Sequence, residues 1–327
     1  MPTDRRRALA RTLPFALGAS LLLAGLPAMA QTWPSKQIRL VVNFAAGGTT
    51  DVMARALAKP LSAALGQPVV VENRTGALGA IGAAEVARAA PDGYTILLTT
   101  QGSLTEIPVL SPQTPYDPVA AFAPVTLVGE SPLVLFAHPS FPANDVKGLV
   151  EYARTRPEGV DIAVTGSSVK MGAYALAGAG NFKLQQIPYN GQGPALNAAL
   201  GGHTTLALNT SSTALMQHVQ AGRLKLLGVG SETPYKLMPG VPTVAQVLPG
   251  YSAKAWWGIF APAGTPAEAV NKLNQAFKHA LAEPGMEELF TANAVVVTTS
   301  TPAELKAIVA KGLDTTKTLV ARYGIKE

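Results

Sequence analysis

The sequence predicts an α/β protein with two mostly parallel sheets flanked by helices. Three observations lead there. Short apolar runs bounded by turn residues, such as "IRLVVN" (38–43), "PVVVENR" (68–74) and "YTILLTT" (94–100), read as strands buried on both faces. Helix-period stretches lie between them, which is the pattern of parallel strands joined by crossover helices. The alternation then restarts after residue 130, which calls for a second sheet.

In chain order, the first helix is expected from Thr49 or Thr50 to about Leu65, with Gly66 ending it. After the strand at 68–74, a helix of small residues spans 79–89, and Asp92-Gly93 turns the chain into the strand at 94–100. The proline-punctuated stretch 106–124 reads as extended, followed by two strands, "PVTLVG" (124–129) and "PLVLFAH" (132–138). Next come a helix at 145–156, a strand at 161–165, a helix near 172–179 and the strand "LQQIPYN" (184–190). A helix at 194–201, a strand at 204–209, a helix at 212–221 and a strand at 224–230 complete the second unit. The tail holds a strand at 255–261 and helices at about 266–281 and 302–322. If the tail returns to the first sheet, residues 31–130 and 232–327 form one lobe and 131–231 the other. Two crossings, near 130 and 231, then flank a cleft.

Residues 1–30 read as a secretory leader. "MPTDRRRALAR" is a basic head, "TLPFALGASLLLAGLP" an apolar core, and "AMA" a cleavage signal ending at Ala30. Arg6-Arg7 matches a twin-arginine signal only loosely. Of 26 basic and 20 acidic residues, four arginines and Asp4 lie in this leader, leaving 22 and 19. So half of the net positive charge belongs to the leader, and no basic cluster remains for nucleic acid. No later segment reads as a membrane span, and the chain has no cysteine for disulfides or thiolate metal sites. The expectation is a monomeric periplasmic protein without cofactor or metal. His138, His203, His218 and His279 show no ligand-pair spacing.

Open parallel sheets bind ligands at the carboxyl ends of their strands. The first such loop, "NFAAGGTTD" (43–51), holds no cation, yet two glycines followed by a helix start can seat an anion on backbone amides. The alternative is an ordinary strand-to-helix turn. Asp51 would repel an anion if it faced one, so it is expected to turn away and cap neighbouring amides. Three further strand-end loops are "TGSSVKMG" (165–172) with Ser167, Ser168 and Lys170, "PYNGQGPA" (188–195) with Tyr189 and Gly191, and "LNTSS" (208–212) with Asn209. Pro194 marks a helix start. Gln101, where the third strand ends, joins the predicted site. Together these loops describe a cleft of amides and hydroxyls suited to a small carboxylate.

The segment "WPSKQIRLVVNFAAGGTTDVMARALAKPLSAALGQPVVVENRTGALGAIGAAEVARAAPDGYTILL", with "YDPVAAFAPVTLV", "IPYNGQGPALNAALGGH", "LMPGVPTVAQVLPGY" and "WWGIFAPAGTP", resembles the Bug/TctC family. These are extracytoplasmic receptors of tripartite tricarboxylate transporters. The resemblance spans essentially all of the chain after the leader. It implies a two-lobed periplasmic-binding-protein type II fold that closes on a carboxylated metabolite, with membrane transport subunits as partners. By position it implies ligand contacts at Phe44, Ala45, Gly47, Gly48, Thr49 and Asp51 in one lobe and Ser167, Ser168, Gly191 and Asn209 in the other. The sequence departs from the family where Thr49 replaces a glycine, and where "GSSVKMGAYA" loses glycines and a histidine and gains Lys170.

Other readings compete locally. Lys170 is either counter-charge for a second ligand carboxylate or a solvated lysine. Ser167 and Lys170 form an S-x-x-K pattern, which would suit a serine hydrolase, but its companion S-D-N and K-T-G motifs are absent. "GALGAIG" (76–82) has G-x-x-G-x-x-G spacing, which suits helix packing better than a dinucleotide. Trp256-Trp257 either pack at the lobe junction or cover an aromatic ligand. The expected function is capture of a mono- or dicarboxylate, aliphatic or aromatic, for transport. A sensor presenting the acid to a membrane kinase is the alternative.

Overall fold

A computed structural model describes residues 33–325. The expected leader and its cleavage site at Ala30 lie outside the described residues. From Pro34 onward the chain groups into one unit.

The first half contains β1 (Ile38–Val42), α1 (Thr49–Leu65), β2 (Val69–Asn73), α2 (Ala80–Ala87), β3 (Thr95–Thr100), a π-helical turn (Gly102–Glu106), α3 (Ile107–Leu110) and β4 (Phe122–Ala137). Next come α4 (Val146–Arg154), β5 (Val160–Val164), α5 (Gly166–Gly180), β6 (Leu184–Pro188), α6 (Gln192–Leu200), β7 (Leu206–Thr210), α7 (Thr213–Gln220) and β8 (Lys225–Val229). Finally come β9 (Lys254–Pro262), α8 (Ala267–Leu281), α9 (Met286–Ala292), β10 (Val296–Val297) and α10 (Pro302–Tyr323).

The strands run in the order β2-β1-β3-β9-β4-β7-β5-β6, with β8 and β10 also on β4. The outer trios β2-β1-β3 and β6-β5-β7 are parallel, as their crossover helices require. The middle is antiparallel: β9 runs against β3 and β4 in the first sheet, and β4 continues into the second against β7. The first sheet's core includes Val41, Leu97, Leu127 and Phe260, and the second's Val134, Phe136, Ala163 and Leu215.

Four local expectations are corrected. The two strands expected at 124–129 and 132–138 are one, β4. Pro132, which reads as a break, sits where β4 exchanges β9 for β7, so its missing N–H interrupts neither ladder. The stretch after 106 does not begin extended: the π turn runs straight into α3, whose proline lies in the first turn where it is tolerated. Helix α5 starts at Gly166 rather than near 172, so Ser167, Ser168 and Lys170 lie on the helix. Helix α9 and strand β10 are additional.

The sheets meet at one backbone knot. Leu133 N donates to Ala253 O (2.9 Å), Gly230 N to Leu133 O (2.7 Å) and Ala253 N to Gly230 O (2.8 Å). Between these crossings, Tyr235, Leu237, Met238 and Val241 pack on the second sheet's core, and the chain re-enters the first sheet at Lys254.

Candidate functional site

The β1–α1 loop ends at Gly48, an extended N-cap with no side-chain hydrogen bond. The first amides of α1 therefore lack both intrahelical acceptors and a capping oxygen. Asp51 lies in this turn but faces back beneath the loop, as expected. Its Oδ2 accepts from Gly47 N (2.9 Å) and Arg55 Nε (2.9 Å), and its Oδ1 from Asn73 Nδ2 (2.9 Å). Asn73 also donates to Phe44 O (3.0 Å), which ties the loop to β2. Burial pushes the Asp51 pKa up, but Arg55, the Gly47 amide and Asn73 together hold it below the usual carboxylate range. The carboxylate thus stiffens the loop and leaves the positive end of α1 to face elsewhere.

A second helix start meets it. Gly191, at φ 114°, is the N-cap of α6, where an ordinary side chain would be strained. The next residue, Gln192, accepts from Thr49 Oγ1 (3.2 Å) and donates through Nε2 to Thr210 O (2.6 Å). Two helix N-termini, one from each sheet's half of the chain, are thereby held side by side. The structure carries this Thr49–Gln192 contact, but Gln192 is absent from the sequence-derived set. Its only signal is its place between Gly191 and Gly193.

The other predicted residues divide by role. Asn209, nearly fully buried, accepts through Oδ1 from Thr165 Oγ1 (3.1 Å), tying β7 to the start of α5. Tyr189 directs its hydroxyl to Thr204 Oγ1 (2.8 Å) and its ring to the second core, so it braces α6. Pro194 is the third residue of α6 rather than the first. Gln101 Nε2 donates to Glu106 Oε1 (2.9 Å). Ser167 and Ser168 converge on Gly102, where a Cβ would lie 2.4 Å from Ser167 Oγ, so any side chain there would displace the serine hydroxyls. Ser167, Lys170 and Tyr174 line a cavity of about 310 Å³, with Leu78, Ile107, Leu110 and Ile325 supplying apolar wall. Lys170 forms no salt bridge among the described residues.

Glu106 is the other residue missing from the sequence-derived set. It is 4% exposed, and its Oε2 has no hydrogen bond of acceptable geometry. Burial pushes its pKa up to about 7, with Gln101, Ser168 and Ser167 offsetting part of the shift. A lone glutamate in an apparently extended segment carries no pattern to flag it.

"GALGAIG" serves packing. A Cβ on Gly82 would lie 2.4 Å from Arg74 O, so α2 can approach β1 and β2 only through glycine. Asn43 Nδ2 donates to Gly79 O and Ser103 Oγ (both 2.8 Å), joining three strand-end loops. Trp257 is buried, its Nε1 donating to Thr50 Oγ1 (2.9 Å), and Trp256 packs on Phe260.

Comparison with known proteins shows the family. Residues 53–325 match the model of the tripartite tricarboxylate transporter family receptor. BugT of Bordetella pertussis is 33% identical over 316 residues, covering 95% of this chain and 97% of BugT. Among solved structures, MatC from Rhodopseudomonas palustris with bound malate is 30% identical with a TM-score of 0.82, covering 88% of this chain and 100% of that one. An R. palustris protein solved with adipate is 29% identical with a TM-score of 0.85, covering 90% and 99%. These relatives are solute-binding proteins, which removes the serine-hydrolase reading of Ser167 and Lys170. The chain belongs to the tripartite tricarboxylate transporter receptor family, the Bug/TctC solute-binding proteins.

Proposed function

We propose that this receptor captures a small organic acid outside the cytoplasm and delivers it to a tripartite tricarboxylate-type membrane transporter. The observation that carries the reading is the convergence of the α1 and α6 N-termini through Thr49 and Gln192. Each helix end contributes about 0.3–1 kcal/mol of attraction for an anion. Each hydrogen bond to a charged carboxylate adds about 1.5–3 kcal/mol. A few such contacts reach micromolar affinity, about −8 kcal/mol, without an arginine clamp. The relatives with malate and adipate support a carboxylate ligand.

On this reading the lobes are the halves built on the two sheets, and they hinge at the Leu133–Gly230–Ala253 knot. A ligand touching both α1 and α6 favours the closed form because only that form offers both sets of contacts. The leader would direct the protein to the periplasm, where it acts as a monomer.

The test is a thermal-shift screen of refolded residues 31–327 against mono-, di- and tricarboxylates and aromatic acids. Refolding strips any ligand carried through purification. A saturable rise in melting temperature with one class of acid is expected. No rise with any acid contradicts the carboxylate reading.

A further inference from the structure

Glu106 is costly as it stands. A buried carboxylate with an unpartnered oxygen loses hydration without gaining a cation or a full set of donors. It sits in the first half of the chain but faces Ser167 and Ser168, which belong to α5 in the second. The absence of a side chain at Gly102 brings them together. Ser167 is also part of the wall of the 310 Å³ cavity. One hydroxyl therefore stands beside a buried carboxylate and in the wall of this cavity.

A hydroxyl has one proton and two lone pairs, and its rotor follows its strongest partner. An ionised Oε2 that lacks a partner draws the proton of a neighbouring hydroxyl, and when Ser167 supplies it the Ser167 lone pairs turn to the cavity. We propose that Glu106 is a specificity-determining positioning residue that makes Ser167 a hydrogen-bond acceptor toward the ligand. The receptor then prefers an acid whose far end carries an ammonium or N–H donor over one ending in a second carboxylate. This rests on the carboxylate-receptor reading above and adds that the far end of the ligand enters this cavity.

The surroundings leave the role to Glu106. The titratable groups nearest it on the packed elements include Lys170 and Tyr174 on α5, both in the cavity wall, Lys311 and Asp314 near Gly312 on α10, and Tyr116, whose hydroxyl donates to Ser103 O. None of them contributes to the Glu106 shift, which burial dominates. Helix α3 and strand β3 bring no titratable side chain. Since Glu106 titrates near 7, the preference should be strong at pH 8 and weaken at pH 6, where a protonated Glu106 donates to Ser167 instead.

The experiment is calorimetric titration of the ligand-stripped protein with 6-aminohexanoate, adipate monoamide and adipate at pH 6 and pH 8. Wild type, Glu106→Gln and Ser167→Ala are compared. At pH 8 wild type is expected to bind the two donor-ended acids at least tenfold more tightly than adipate, with a smaller ratio at pH 6. Glu106→Gln should bring the ratio near one and remove its pH dependence. Ser167→Ala, which keeps the buried carboxylate, should also lose the preference, and it decides the matter if the first variant does not fold. Tighter binding of adipate by wild type at pH 8 overturns the proposal and gives the far end to Lys170. A ratio unchanged in either variant overturns it as well. If none of the three acids binds any of the proteins, the carboxylate reading itself fails.

Discussion

Asp51 and Glu106 are both buried carboxylates at loops that follow strands of the first sheet, yet they are treated in opposite ways. Asp51 accepts from an amide, a guanidinium and a carboxamide, and its pKa falls despite burial. Glu106 has one firm donor, Gln101, and its pKa rises to about 7. The paired group fixes a loop at all ordinary pH. The underpaired one costs stability, which is the mark of a group retained for what it does at a cleft.

The comparison is broken most severely at Asp51. Asp51→Ala orphans the Gly47 amide and the Asn73 carboxamide, each worth about 1–3 kcal/mol, and should cost about 4 kcal/mol in chemical denaturation. It should also weaken acid binding more than tenfold by loosening the α1 start.

Glu106→Gln comes next, with the opposite sign. A carboxyl whose folded pKa is raised stabilises the fold fully below its unfolded value near 4.5, and this is lost as pH rises to about 7. At about 1.36 kcal/mol per unit, the loss is about 3 kcal/mol. Wild type should therefore melt lower at pH 8 than at pH 5, and Glu106→Gln should flatten that slope. Asp51 acts in a different window, since its depressed pKa withdraws stability only as pH falls below about 3.8.

Gln192→Ala removes the bridge between the two helix starts. About five- to tenfold weaker acid binding with little change in melting temperature is expected, about 1 kcal/mol for a hydrogen bond. The smallest effect belongs to Arg55→Ala. Its side chain is more than half exposed, so solvent screens the pair with Asp51, and melting temperature should move far less than in Asp51→Ala.

Much of this was legible in the sequence where local chemistry decides. The β1–α1 loop, the inward turn of Asp51 and the Gly66 helix end follow from capping and glycine rules acting over a few residues. What was not legible depends on distant contacts. The π turn carrying Glu106 is packed on one side by Gly312 of α10 against Thr105 and on the other by Ser167 against Gly102, neither of which is local. Gln192 matters only because α6 meets α1, a pairing 143 residues apart. Tyr189 lies in a predicted ligand loop but turns to Thr204, because its ring has a core to fill. The early start of α5 was hidden by a serine- and glycine-rich composition that reads as loop until Val169 and Met171 are buried.

The central claim is that backbone helix ends, without a cation, hold the ligand's carboxylate. Thr49→Asp tests it most directly, because an aspartate at the first position of α1 satisfies the helix end itself and fills the seat with negative charge. Calorimetric titration of wild type and this variant with the acid that gives the largest thermal shift should show binding weakened at least a hundredfold, with melting temperature unchanged or higher. Equal affinity in the two proteins would contradict the account and move the carboxylate to another part of the cleft.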